Sequence, residues 1–129
     1  MANHSLILKT FIKQLDEWLQ DITDCYKPND ARFIQCKLYF EGIKASNPKL
    51  LITLWKSSIA LPYKEQIYKG DIDYFLNKDY QPDISENYNS TIDNAIDDLR
   101  IVIRTMDQEN IQMSLKYIQN LCKLSELYN

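Results

Sequence analysis

Apolar residues recur along this chain at steps of three and four, and short polar breaks divide the pattern into six stripes. The breaks fall at Asn47-Pro48, Leu61-Pro62-Tyr63, Gly70-Asp71, a polar stretch around Gln81-Pro82, and Asp107. Such spacing returns repeatedly to one side of a 3.6-residue turn, so it specifies helices and not strands. The expected fold is all-α: a compact bundle of about five or six helices with no β-sheet, residues 1–129 forming a single helical domain.

The first helix is expected from about Ser5 to Cys25, with Leu8, Phe11, Ile12, Leu15, Trp18, Leu19 and Ile22 on one broad face. Pro28 forces a turn, and Asn29 or Asp30 caps a second helix to about Ala45. That helix offers Phe33, Ile34, Leu38, Phe40 and Ile43 to the core. Asn47-Pro48 reads as a helix start, a capping side chain followed by proline where its missing N–H costs nothing. Leu51, Leu54, Trp55 and Ile59 line the buried side of this third helix. Pro62 ends or kinks it near Leu61, and the pattern restarts with Tyr63, Ile67 and Tyr68. Gly70 suits the residue just past a helix end, where φ > 0 is cheap without a Cβ.

Asp71 then caps a short turn carrying Ile72, Phe75 and Leu76, with Phe75 and Leu76 docking in the groove between the third and final helices. A polar loop follows at about 77–89, expected to stay ordered as far as Tyr80 and to become mobile after Pro82. Ser90 or Thr91 opens a helix with Ile92, Ala95, Ile96, Leu99, Val102, Ile103 and Met106 on its apolar face. Asp107 caps the last one, striped by Ile111, Leu115, Ile118, Leu121 and Cys122, with Tyr117, Leu124 and Tyr128 as a second apolar edge. The core is therefore predicted around Leu15, Trp18, Leu51, Leu54, Trp55, Leu99, Ile103, Leu115 and Ile118.

Composition narrows the function classes. Hydrophobic residues make up 45% and charged residues 26%, a globular balance. At this length one domain buries roughly 65–70% of its unfolded surface. A net charge of −3 argues against a dedicated phosphate-backbone binder, and two glycines leave little material for a Gly-rich phosphate loop. Cys25, Cys36 and Cys122 are odd in number, widely spaced and set beside apolar positions, as expected of reduced structural thiols in a cytosolic-type compartment. The N-terminal apolar run is too short for a signal peptide, and no stretch approaches the roughly 18 apolar residues of a membrane span. Ile, Asn, Lys and Tyr are abundant while arginine is confined to Arg32, Arg100 and Arg104, a skew that AT-rich coding favours.

Candidate chemistry is sparse. His4 is the single histidine and lacks a neighbouring partner for an acid–base relay. With three scattered cysteines it offers no paired spacing for zinc. Asp71, Asp73, Asn77 and Asp79 suggest a calcium loop, but Phe75 occupies a ligand position and Leu76 replaces the required glycine. Asp97 and Asp98 are adjacent and diverge around a helix, so they cannot flank one bond as glycosidase carboxylates do. No catalytic residue, metal or cofactor is expected.

Several segments carry a resemblance when taken in order: Phe11-x-x-x-Leu15-x-x-x-Leu19, Asn47-Pro48-Lys49, Leu61-Pro62-Tyr63-Lys64-Glu65-Gln66-Ile67, Asp73 to Tyr80, and Tyr117 to Leu124. The chain resembles a group of small acidic helical proteins encoded by nucleocytoplasmic large DNA viruses, the giant viruses of algae and amoebae. Tyr74 is a departure, since phenylalanine or another acidic-flanked aromatic is expected there. The resemblance implies a viral origin and a location in the host-cell cytoplasm, the viral factory or the virion, and it brings no established activity. The leading expectation is a non-enzymatic protein-interaction module whose protein partner meets an acidic, aromatic edge of Asp71, Asp73, Tyr74, Asp79 and Tyr80. The alternative is an accessory subunit contacting nucleic acid or transcription machinery through a basic face of Lys44, Lys49 and Lys56. The acidic chain makes nucleic acid the lesser expectation, and nothing in the sequence sets the oligomeric state.

Overall fold

Helix α1 (His4–Cys25) and helix α7 (Gln108–Leu127) lie antiparallel and carry much of the apolar interior between them. The computed structural model describes residues 4–25, 31–77 and 90–128, and no strand occurs among them. Side-chain contacts fix the antiparallel register. The His4 ring lies 5.4 Å from that of Tyr128, the Trp18 indole donates to Ser114 Oγ at 3.0 Å, and the Tyr117 hydroxyl donates to Asp21 Oδ2 at 2.6 Å.

Between them runs a continuous rod as long as α1. It begins as α3 (Pro48–Trp55), widens into a π-helical stretch at Lys56–Ala60, and continues as α4 (Leu61–Lys69). Asn47 caps its start, accepting the Leu50 N–H, and Pro48 occupies the first turn. The helix neither ends nor restarts at Pro62: residues on both sides keep right-handed helical angles, and the Leu61 N–H reaches back to the Lys56 carbonyl. Gly70 terminates the rod at φ 87°, and the Gly70 and Asp71 N–H groups close onto the Ile67 and Gln66 carbonyls.

Helix α2 (Ala31–Ser46) packs on α3 and on α6 (Ser90–Arg104), while the short α5 (Ile72–Leu76) sits on α4 and α6. With the rod taken as one, six helices are described, and a single core runs through all of them. At its centre the Trp55 ring meets Phe11 and Trp18 edge-on, at 5.9 and 6.1 Å.

The predicted core residues are buried, with one correction. Leu54 is only half-buried, and Ile52 takes the interior position because the rod's inward line runs through Leu51, Ile52, Trp55 and Ile59. On α2 the inward face is Phe33, Cys36 and Phe40, so Ile34 and Leu38 point outward instead of joining the core, and Ile43 is half-buried. Phe75 and Leu76 are buried as expected, but against α4 and the penultimate helix, not in a groove of the final one. The polar loop lies outside the described residues beyond Asn77, as do the expected caps Asn29 and Asp30.

Replacing Leu15 or Leu99 by alanine should cost about 2–5 kcal/mol, since each is almost fully enclosed and leaves a cavity. Leu54→Ala should cost clearly less, because that side chain is only partly enclosed. Urea unfolding of the three variants checks the ranking, and an equal loss at Leu54 would contradict the assigned inward face.

Candidate functional site

The acidic, aromatic edge is built on α5. A helix of five residues has no stability of its own, so its position is set by what grips it. The Asp71 side chain accepts the Tyr74 N–H at 3.3 Å and caps the first turn. Ile72, Phe75 and Leu76 enter the core, and at the other end Arg100 closes the clasp. Its Nε donates to the Phe75 carbonyl at 2.8 Å, and its Nη1 pairs with Asp97 at 2.8 Å. The guanidinium lies over the Phe75 ring at 4.3 Å and the Tyr63 ring at 5.4 Å.

Arg100 is only 2% exposed, so its charge is taken out of water and must be matched inside. It is matched by a carbonyl at a helix end, a carboxylate and two ring faces. The outer side of α5 is left to solvent: Asp71, Asp73 and Tyr74 are exposed, with Tyr74 47% accessible and its ring 6.1 Å from Tyr63. The structure thus brings these three together on one rigid turn, while Asp79 and Tyr80 lie outside the described residues.

The basic residues are distributed differently. Lys44 lines a wide, open groove of about 390 Å³ where the start of α1, the end of α2 and the start of α3 meet, together with Ser5, Leu8, Lys9, Ile12 and Pro48. Its ammonium is held by Asp16 at 3.1 Å, which reduces the free positive charge there. Lys49 is exposed on the first turn of α3 and Lys56 is half-buried seven residues along the same rod. Sequence reasoning anticipated neither the groove nor the part played by Arg100. A basic residue inside an otherwise apolar helical stripe was the available signal for the second.

Two thiols and two phenols are held protonated by their surroundings. Burial pushes the Cys36 thiol up to about 12, with Asp98 adding to the effect. Cys122 also rises to about 12 through burial, opposed in part by the Trp55 indole. That indole N–H is fully buried beside Cys122 and has no hydrogen-bond partner among the described residues. A thiol held protonated in this way is a poor nucleophile. Tyr117 is raised to about 12, first by its bond to Asp21 and then by burial, and Tyr68 is raised by burial and by donating to Glu126 Oε2 at 2.5 Å. Among the described residues no three His, Cys, Asp or Glu side chains converge as a metal site, and no helix is long and apolar enough to cross a membrane. No protein-family model matches this chain, and comparisons with curated proteins and with solved structures gave no match.

Arg100→Met keeps the bulk and removes the charge and the donor. It should lower stability by about 1.5–3 kcal/mol, the worth of a buried charge-assisted hydrogen bond, and should speed amide exchange at Phe75, Leu76 and Asn77. Unchanged protection there would show that something other than Arg100 holds α5.

Alkaline pH acts on Cys36, Cys122 and Tyr117 in one direction. Each keeps its proton in the fold above its ordinary value of 9.0 for a thiol or 10.0 for tyrosine, so the unfolded chain deprotonates first. The stability they contribute is complete below the unfolded values and is lost between about pH 9 and 12. Melting temperature followed across that window should fall steadily, and Tyr117→Phe should flatten the fall above about pH 10. A flat profile to pH 11 would contradict it.

Proposed function

We propose that this chain is a protein-interaction module without catalytic activity, acting inside cells infected by a large DNA virus. The observation that carries the reading is the α5 edge, where Tyr74 stands exposed between Asp73 and the Asp71 cap on a turn locked from behind by Arg100. An aromatic ring with a polar rim on a rigid support loses little conformational entropy on binding, which is why such residues concentrate binding energy. The protonated, enclosed thiols support the absence of nucleophilic chemistry.

A second reading, an accessory subunit that touches nucleic acid, draws on Lys9 and Lys44 at the groove and on exposed Lys49 beside it. The Asp16 pairing of Lys44 and the net charge of −3 weigh against it.

A photo-crosslinking residue at position 74, in protein expressed in infected cells, tests the first reading. One discrete protein partner should be captured, and Asp73→Lys with Tyr74→Ser should weaken its binding by about 2 kcal/mol, roughly thirtyfold. Asp71 is left intact because it caps the helix. Loss-free binding by the double variant would remove this edge from consideration. A submicromolar complex with DNA or RNA surviving about 0.2 M salt would establish the second reading instead.

A further inference from the structure

Helix α2 is apolar on two opposite sides, with Lys37, Glu41 and Lys44 on the flank between them. Phe33, Cys36 and Phe40 are buried, yet the opposite, solvent-facing side carries Ile34, Leu38, Gly42 and Ala45, all exposed, with exposed Gln35 as the polar residue among them. Leu38 is 61% and Ile34 40% accessible. A helix at a finished surface places charge on that side, and an uncharged one is characteristic of a helix covered on both faces. Gly42 adds an independent anomaly. Of the two glycines, Gly70 is required by its positive φ, whereas a Cβ built on Gly42 would meet nothing within 4 Å. Glycine inside a helix is less favourable than alanine, and nothing among the described residues requires it here.

We propose that this face docks a second copy of the chain, the two α2 helices lying antiparallel about a two-fold axis level with residue 39. The face is self-complementary in that arrangement and in no parallel one. Its first half is large (Ile34, Leu38) and its second half small (Gly42, Ala45), so an antiparallel neighbour sets large against small, and Gly42 lets the backbones approach. A parallel neighbour would set large against large.

Charge follows the same symmetry. Lys37 and Glu41 lie on one flank of the stripe, and neither forms an ion pair among the described residues. Antiparallel packing brings each flank against its own copy, which places Lys37 level with the partner's Glu41 and Glu41 level with the partner's Lys37. The same patch thus serves both sides, as a two-fold contact requires. A single helix pair is a small interface, so the association belongs to the weak, concentration-dependent class.

Sedimentation equilibrium from about 1 µM to 1 mM tests this, the range expected for a contact of that size. The mass should rise from 15.3 kDa toward twice that value. Leu38→Glu, at an exposed site, should melt like the parent and remain a monomer. Lys37→Glu and Glu41→Lys should each weaken association at least tenfold, and Gly42→Leu should do the same by blocking the approach. An equimolar mixture of the two charge variants should recover association, because the mixed pair restores opposite charges at both contacts. A parent that stays at 15.3 kDa throughout, or a Leu38→Glu variant that still dimerises, overturns the proposal. A mixture no tighter than either variant alone overturns the antiparallel arrangement.

Discussion

Pro62 lies inside the rod on which α1, α2, α5 and α7 all pack, and it lacks the N–H that a regular α-helix would use there. The rod survives because the chain widens just before it, with the Leu61 N–H reaching the Lys56 carbonyl five residues back. The wider turn also relieves the clash of the proline ring with the preceding turn. The interior residues show why the widening is useful beyond the proline. Leu51, Trp55, Ile59, Tyr63 and Ile67 follow one another at steps of four, and on 3.6-residue turns each such step rotates the face by about 40°. A uniform α-helix would carry Ile67 round toward the far side. The π-helical stretch takes back part of that drift, so Trp55 meets α1 while Ile67 stays in the core and offers its carbonyl to Gln119 of α7 at 2.8 Å.

Arg100 supplies a second constraint of a different kind. An unmatched buried guanidinium would cost several kcal/mol, so its partners have to be present whenever the fold is. One of those partners is the Phe75 carbonyl, which belongs to a five-residue helix at the end of a glycine turn. The cost of burying the charge therefore becomes the grip that orders α5. The consequence reaches the surface: Tyr74 shares its turn with Phe75, and a turn clamped from inside holds its outer ring in one place.

The sequence made the helices legible because capping residues and apolar spacing agreed. Asn47, Gly70, Asp71 and Asp107 each do at a helix end what their side chains or φ angles suggest. Periodicity failed on α2 for a physical reason: apolar residues occupy opposite sides, so spacing alone could not choose between Phe33, Cys36 and Phe40 and the outward pair Ile34 and Leu38. Leu54 was misplaced by similar logic, since Ile52 and Leu54 are both apolar and only packing decides between them. Pro62 was read as ending or kinking the helix, and the irregularity takes the form of the π-helical stretch just before it. The run of four-residue steps through it was the sign that the helix continued. Arg100 could not be placed from the sequence, because the value of a buried charge depends on groups brought to it by the fold. The acidic edge was legible through Asp71, Asp73 and Tyr74, and the groove around Lys44 was not, since three separate helix ends assemble it.

The two surfaces bear on each other through geometry. The α2 stripe and the α5 edge share no residue, and α5 is seated on α4 and α6 while the stripe looks out from the other side of α2's own packing. A pair joined through α2 would therefore carry two α5 edges in a fixed relation. A partner with repeated sites would meet the second edge at a high effective concentration once the first is engaged, so a contact as small as one aromatic turn could still hold. That coupling also explains how a weak two-fold contact would be useful: it need not be permanent in the free protein, because a multivalent partner that bridges both edges stabilises the pair by mass action.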